Sequence, residues 1–198
     1  MTRVEITSKS FGTARVLGRV SFTIDEGETV ALVGPSGIGK STILRIVAGI
    51  DTAFDGRVER PDAVAMVFQE PTLLLWRSLR ENLRIVHPAL TPAEAEEALV
   101  QVGLAGKADF FPGQLSLGQQ RRLALARAFA GQPELLIMDE PYASLDQETA
   151  QGMLRLTETL IARHRPATLF VTHSMQEANH LADRVLTLRE GPDGATLG

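Results

Sequence analysis

Four short runs in this chain are apolar on both faces, and they limit its fold more than any other feature. They are TVALV (29–33), VAMVF (64–68), LLIM (135–138) and TLFVT (168–172), with VLTL (185–188) a weaker fifth. A strand with one face in water alternates apolar and polar residues; a strand covered on both faces does not. Such strands belong in the middle of a parallel sheet. Helical stretches lie between them. Residues 40–49 follow a glycine-rich turn and stop near Gly49. Thr91-Pro92-Ala93-Glu94 is a capping-box start with proline at the first helical position, and that helix stops at Gly103. Ser116 with Gln119, Asp146, and Ser174 with Glu177 open three more. Strand and helix in alternation predict an α/β architecture with a mostly parallel sheet.

Two regions depart from that rhythm. In the first 30 residues, Val4 and Ile6, then Val20, Phe22 and Ile24, alternate with polar neighbours before a turn at Asp25-Glu26-Gly27-Glu28. This predicts an N-terminal antiparallel β subdomain. Residues 70–118 hold helices and no clear buried strand, which predicts an inserted α-helical subdomain. The expected organisation is one domain over residues 1–198, with a core of about 1–69 and 119–198 and the helical subdomain at about 70–118.

Composition narrows the chemistry. The chain of 198 residues has no cysteine, which excludes a disulfide scaffold, a thiol nucleophile, an iron–sulfur cluster and a thiolate zinc site. A net charge of -4 gives no reason to expect non-specific nucleic-acid binding. No apolar run is long enough to span a bilayer, and MTRVEITSKS does not resemble a secretion signal, so a cytoplasmic location is expected. Lysine occurs only at positions 9, 40 and 107, so few ammonium groups are on offer.

One of them lies in a motif. Gly34-Pro35-Ser36-Gly37-Ile38-Gly39-Lys40-Ser41, continuing into Thr42, follows a buried strand and opens a helix. Phosphate oxygens need several donors at close range. Glycines let successive backbone N–H groups curl around them, and the following helix aims its N-terminus at the anion. Lys40 is expected to reach the β- and γ-phosphates, and Ser41 to hold Mg²⁺. This is a phosphate-binding P-loop, and it makes the core that of a P-loop NTPase.

Other polar residues end the apolar strands, where a sheet of this class places its ligands. LLIM runs into Asp139, which fits a carboxylate on the Mg²⁺ side, acting through water. Glu140 follows and points elsewhere; a second carboxylate there can polarise water for attack on the γ-phosphate. His173 ends TLFVT in the same way and is expected near the γ-phosphate. Gln69 ends VAMVF, where its amide is suited to sense the metal and the attacking water. Leu115-Ser116-Leu117-Gly118-Gln119 opens what reads as an amphipathic helix, whose start is a second anion site without a lysine. The arginines at 121, 122 and 127 read as its solvated face.

In combination, the chain resembles the ATP-binding subunit of ABC transporters. The P-loop at 34–41, Gln69, LSLGQ at 115–119, LLIMDE at 135–140, Ala143-Ser144-Leu145-Asp146 and His173 stand in that family's order. The resemblance implies a head-to-tail homodimer, or a heterodimer with a paralogue, that sandwiches two ATP molecules. It implies that Ser116, Gly118 and Gln119 contact the γ-phosphate bound to the other copy, and that Asp146 lies at the dimer interface. Glu140 would be the catalytic base, His173 the γ-phosphate switch, and Phe11 the aromatic that stacks on adenine. Leu117 departs from the family's usual LSGGQ. Lys107-Ala108-Asp109 is similar to a guanine-reading pair but lacks its asparagine.

The spacing from Gly34 to Asp139 leaves no room for the coiled coil of DNA-repair members. No membrane span is fused, as it is in most exporters, so a separate importer-type subunit is expected. Glu70-Pro71-Thr72-Leu73-Leu74-Leu75-Trp76 with Glu81-Asn82 looks like the nitrate, sulfonate and taurine importer branch, which commonly has proline where Leu75 stands. Leu73 to Trp76 then either receive a transmembrane permease subunit or form the core of the helical lobe. The expected setting is the inner face of the membrane, held there by permease subunits and served indirectly by a solute-binding protein. Two other readings stay open. One is a soluble ABC-type ATPase acting on a protein or nucleic-acid partner. The other is a P-loop small-molecule kinase, which would need an acceptor pocket and an arginine-rich lid.

Overall fold

The computed structural model describes residues 1–198. In chain order the strands are β1 (Thr2–Phe11), β2 (Ala14–Leu17), β3 (Val20–Ile24), β4 (Thr29–Val33), β5 (Asp55–Glu59), β6 (Val64–Val67), β7 (Leu135–Asp139), β8 (Ala167–Val171), β9 (Arg184–Arg189) and β10 (Thr196–Leu197). The helices are α1 (Lys40–Val47), α2 (Leu79–Arg84), α3 (Pro92–Gln101), α4 (Leu117–Ala130), α5 (Gln147–His164) and α6 (Met175–Leu181).

The chain divides into two compact units. The first comprises residues 1–66, 134–140 and 165–198. Its larger sheet has the order β10-β9-β4-β8-β7-β6, and β9, β4, β8 and β7 run parallel. Both β4 and β8 are buried at every position, as their unbroken apolar sequences demand. The second sheet is antiparallel, in the order β2-β1-β3 with β5 also paired to β1. Its period-two pattern turns Val4, Ile6, Val20, Phe22 and Ile24 inward. These side chains share one core with Val30 and Leu32 of β4 and Ile43 and Leu44 of α1. Each large aliphatic side chain buried there contributes about 1.5–3 kcal/mol. The α/β class, the parallel sheet and the antiparallel N-terminal strands all stand as expected from the sequence.

The second unit comprises residues 67–133 and 141–164. It holds α2 to α5, with α4 packed on α2, α3 and α5. The sequence boundary at about 118 therefore falls in the first turn of a helix, α4, that clusters with the helical residues, and α5 clusters with them too. From residue 123 to 129 every side chain of α4 except Arg127 is buried. A helix with neighbours on several sides must be apolar nearly all round, so its expected amphipathic face is absent.

The helix starts obey their caps. Thr91 with Glu94 and Ser116 with Gln119 form complete capping boxes. So does Ser78 with Glu81 at α2, an S-x-x-E signal that the sequence reading passed over. At α6 only half a box forms. Ser174 accepts from the Glu177 amide, while the Glu177 carboxylate turns to the Thr172 hydroxyl.

Candidate functional site

The P-loop connects β4 to α1 in the first unit. Gly34 has φ 155°, and a Cβ there would stand 2.7 Å from the Leu188 carbonyl oxygen. Gly39 has φ 111°, and a Cβ there would stand 2.7 Å from Leu17. Any side chain at these two positions would force the loop off its path. The buried Lys40 ammonium donates to the loop's own carbonyls, at 2.9 Å to Gly34 and 2.8 Å to Pro35. It is thus stored inside the curl of the loop. The Ser36 and Gly37 side of the loop is exposed, and Ile38, Ser41 and Thr42 are half-buried. Gly37 and Ile38 line an open cleft of about 440 Å³ with Arg15, Val16 and the 190–195 segment.

Asp139 ends β7 and accepts a hydrogen bond from the Ser41 hydroxyl at 3.1 Å. Burial raises its carboxyl above the ordinary carboxylate range. The Ser41 hydrogen bond opposes that shift, the neighbouring Glu140 adds to it, and Arg45 and Lys40 pull it down. Glu140 has φ 43°, a left-handed backbone rare for a non-glycine residue. Its amide donates to the Val171 carbonyl at 3.0 Å, which ties that strained residue to the end of β8. Such strain is characteristic of functional positions. His173 lies two residues past β8, and its Nδ1 is 3.5 Å from Glu140 Oε2. Thr172 fixes this corner by accepting from the Ser174 amide at 3.0 Å while its hydroxyl donates to Glu177.

The structure therefore brings Lys40, Ser41, Asp139, Glu140 and His173 to the carboxyl ends of β4, β7 and β8. No three His, Asp or Glu side chains cluster as a metal cage. The oxygen pair from Ser41 and Asp139 instead suits a hard cation completed by water and by the ligand's own phosphates. Phe11 ends β1 and is 53% exposed.

The remaining predicted residues lie in the second unit. Gln69 is exposed, two residues past β6. Ser116 is the N-cap of α4, and its hydroxyl accepts from the Gln119 amide at 3.3 Å. Gly118 and Gln119 are half-buried, and Leu117 is 44% exposed. Asp146 accepts from the Thr149 amide at 3.0 Å and so caps α5.

Three features of this unit escaped the sequence reading. Arg121, taken for a solvated side chain, is 6% exposed and donates to the carbonyls of Pro141, at 2.7 Å, and Ala143, at 2.5 Å. It pins the turn that follows Glu140. Arg127 donates to the carbonyls of Pro71 and Thr72 and to the Thr72 hydroxyl. Asn82 is fully buried and bonds the backbone of Leu74, Arg77 and Ser78. With the loop held from behind, Leu75 and Trp76 stand 60% and 72% exposed. Of the two readings of Leu73 to Trp76, a buried core therefore fails for these two side chains.

Comparison with known proteins agrees with this architecture. Residues 17–143 match the family described as ABC transporter. An aliphatic sulfonates import ATP-binding protein of Frankia alni is 48% identical over 184 residues, covering 92% of this chain and 75% of the relative. A protein of the same description from Rhizobium johnstonii is 46% identical over 190 residues, covering 93% and 75%. Among solved structures, the ATP-binding cassette MJ0796, a dimer in a post-hydrolysis state bound to ADP and phosphate, matches with a TM-score of 0.81 at 28% identity. That likeness covers 100% of this chain and 96% of the other. The chain belongs to the ABC transporter family and is one of its ATP-binding cassettes.

Proposed function

We propose that this chain is the ATP-hydrolysing motor of an importer, working as a pair of copies beneath separate membrane permease subunits. The observation that carries the reading is the meeting of Ser41 with Asp139 beside the P-loop, with Glu140 and His173 at the neighbouring strand end. The triphosphate of ATP lies along the amides of Gly34 to Ser41, with Thr42 in the first turn of α1. Lys40 leaves the carbonyls of Gly34 and Pro35 for the β- and γ-phosphates. Ser41 Oγ and the Asp139 carboxylate, with the Gln69 amide as a further ligand, would hold Mg²⁺, and the cation would supply neutralisation of charge on the phosphates. Glu140 takes a proton from the attacking water. His173 orients Glu140 and the γ-phosphate. Phe11 offers its ring to the base. Ser116, Gly118 and Gln119 close over the nucleotide held by a second copy, and Asp146 lies at that interface.

The names of the relatives support import of an aliphatic sulfonate or a similar small anion, with the cargo delivered by a solute-binding protein. Leu75 and Trp76 support a membrane-protein partner over a soluble one. Left in water, each forgoes roughly 1.5–3 kcal/mol of burial, which a docked apolar segment would recover. A cytoplasmic face is the matching location; no helix is long and apolar enough to cross a membrane.

The test is the rate of ATP hydrolysis against protein concentration, with and without Mg²⁺. The proposal expects Mg²⁺ dependence and a specific activity that climbs with concentration until pairs are saturated. A specific activity independent of concentration, in a protein of single-copy mass, would rule out the shared site.

A further inference from the structure

Lys9 takes no part in the phosphate chemistry above, yet it is among the most tightly held cations in the protein. It sits in β1 and is 4% exposed. Its ammonium lies 2.7 Å from each carboxylate oxygen of Asp51 and donates to the Ala53 carbonyl at 2.7 Å. A buried ammonium needs that compensation for lost water. The Asp51 amide in turn donates to the Arg45 carbonyl at 3.1 Å, within the helix that follows the P-loop. The same ammonium stands 4.5 Å from the centre of the Phe11 ring. The register of β1 shifts between Lys9 and Ser10, so it is this ring contact, rather than strand periodicity, that places Lys9 beside Phe11. A cation fixed over an aromatic face is attracted to it and occupies it.

We propose that Lys9, clamped by Asp51, is the positioning residue for Phe11. It closes one face of the ring and fixes its tilt. The other face is left as a ready platform for the purine base. The chain of contacts runs from α1 through Asp51 and Lys9 to the ring, so the base platform and the phosphate loop share one rigid support. This rests on the reading of Phe11 as the base-stacking residue and adds what orients it.

The test compares binding of ATP with that of inorganic tripolyphosphate, both with Mg²⁺, by calorimetry. The variants are Lys9→Met, Lys9→Arg, Asp51→Asn and Phe11→Ala. Lys9→Met is expected to weaken ATP by about fivefold, leave tripolyphosphate unchanged, and be largely rescued by Lys9→Arg. Asp51→Asn keeps the ammonium but loosens it. It should act in the same direction, and it supplies the result if Lys9→Met does not fold. Equal weakening of ATP and tripolyphosphate would make Lys9 a structural residue only and overturn the proposal. If Phe11→Ala weakens ATP while Lys9→Met and Asp51→Asn do not, the platform stands and the role of Lys9 falls. If Phe11→Ala leaves ATP binding unchanged, the platform fails, and the proposal with it.

Discussion

The starts of α1 and α4, the two helix starts read as anion sites in the sequence, are built on opposite plans. At α1 the loop bends through glycines that admit no side chain, and a buried lysine waits inside it on the loop's own carbonyls. An aspartate, a glutamate and a histidine stand nearby at the strand ends. At α4 the start is an ordinary capping box, Ser116 with Gln119, carrying no charge and presenting an exposed Leu117. In the proposed function the first grips and splits a triphosphate. The second has only neutral donors, weak alone for an anion of high charge, and in the proposed function it closes over one already held. Under the proposed function, the difference concentrates the chemistry in the first unit and leaves recognition and support to the second.

Removing the charge from the strong side should produce the largest effect. Lys40→Ala is expected to lower ATP turnover by roughly 10²–10³-fold, as loss of a preorganised charge does elsewhere. It should abolish nucleotide-induced thermal stabilisation as well. Retention of normal turnover would erase the contrast between the two helix starts.

Arg121→Met comes next. Two carbonyls of the turn after Glu140 lose their donor, at a cost of about 1–3 kcal/mol in stability by chemical denaturation. Turnover should fall further than the folded fraction does, because the turn that carries Glu140 onward is no longer pinned. A variant as stable and active as the parent would show that Arg121 is idle.

The buried Asp139 supplies a pH signature. Its carboxyl is raised in the folded protein, so its favourable contribution is full below the unfolded carboxylate range and is lost as pH rises through the folded value. At neutral pH the ionised group is therefore a cost when no nucleotide is bound. Asp139→Asn should raise the nucleotide-free melting temperature at pH 7, and the gain should shrink as the pH is lowered toward 4. It should also lose the Mg²⁺-dependent part of ATP stabilisation. A gain that does not vary with pH would remove burial as its cause.

The smallest effect belongs to the weak side. Leu117→Gly removes an exposed side chain but keeps the backbone N–H. Turnover should change by no more than a few-fold, through the affinity of one copy for another. A change as large as that of Lys40→Ala would place essential chemistry at α4.

Much of this was legible in the residues alone, for definite reasons. A strand covered on both faces must be apolar throughout, so β4, β7 and β8 announced themselves, and the residues that end them followed. The P-loop is a local motif whose glycines and lysine each answer a steric or charge demand within a few positions. What escaped was set by distant contacts. Nothing within a turn of Arg121 says that it is buried; its partners, the carbonyls of Pro141 and Ala143, arrive from 20 residues or more away. Asn82 entered the sequence analysis only through a resemblance, because its role, satisfying the backbone of a loop, depends on how that loop folds back. Lys9 with Asp51 carried no local signal, since the pair is separated by 42 positions. The capping box of α2 was visible as Ser78 and Glu81 but short, with six helical residues behind it.

The central claim is that the first unit grips the nucleotide and Glu140 splits it, with a second copy completing the site. Its most direct measurement is the mass, by light scattering, of Glu140→Gln with Mg²⁺ and ATP. The account predicts a shift from single-copy to two-copy mass, ATP bound at one per copy, and no hydrolysis. Unchanged single-copy mass, or hydrolysis at the parental rate, would contradict it.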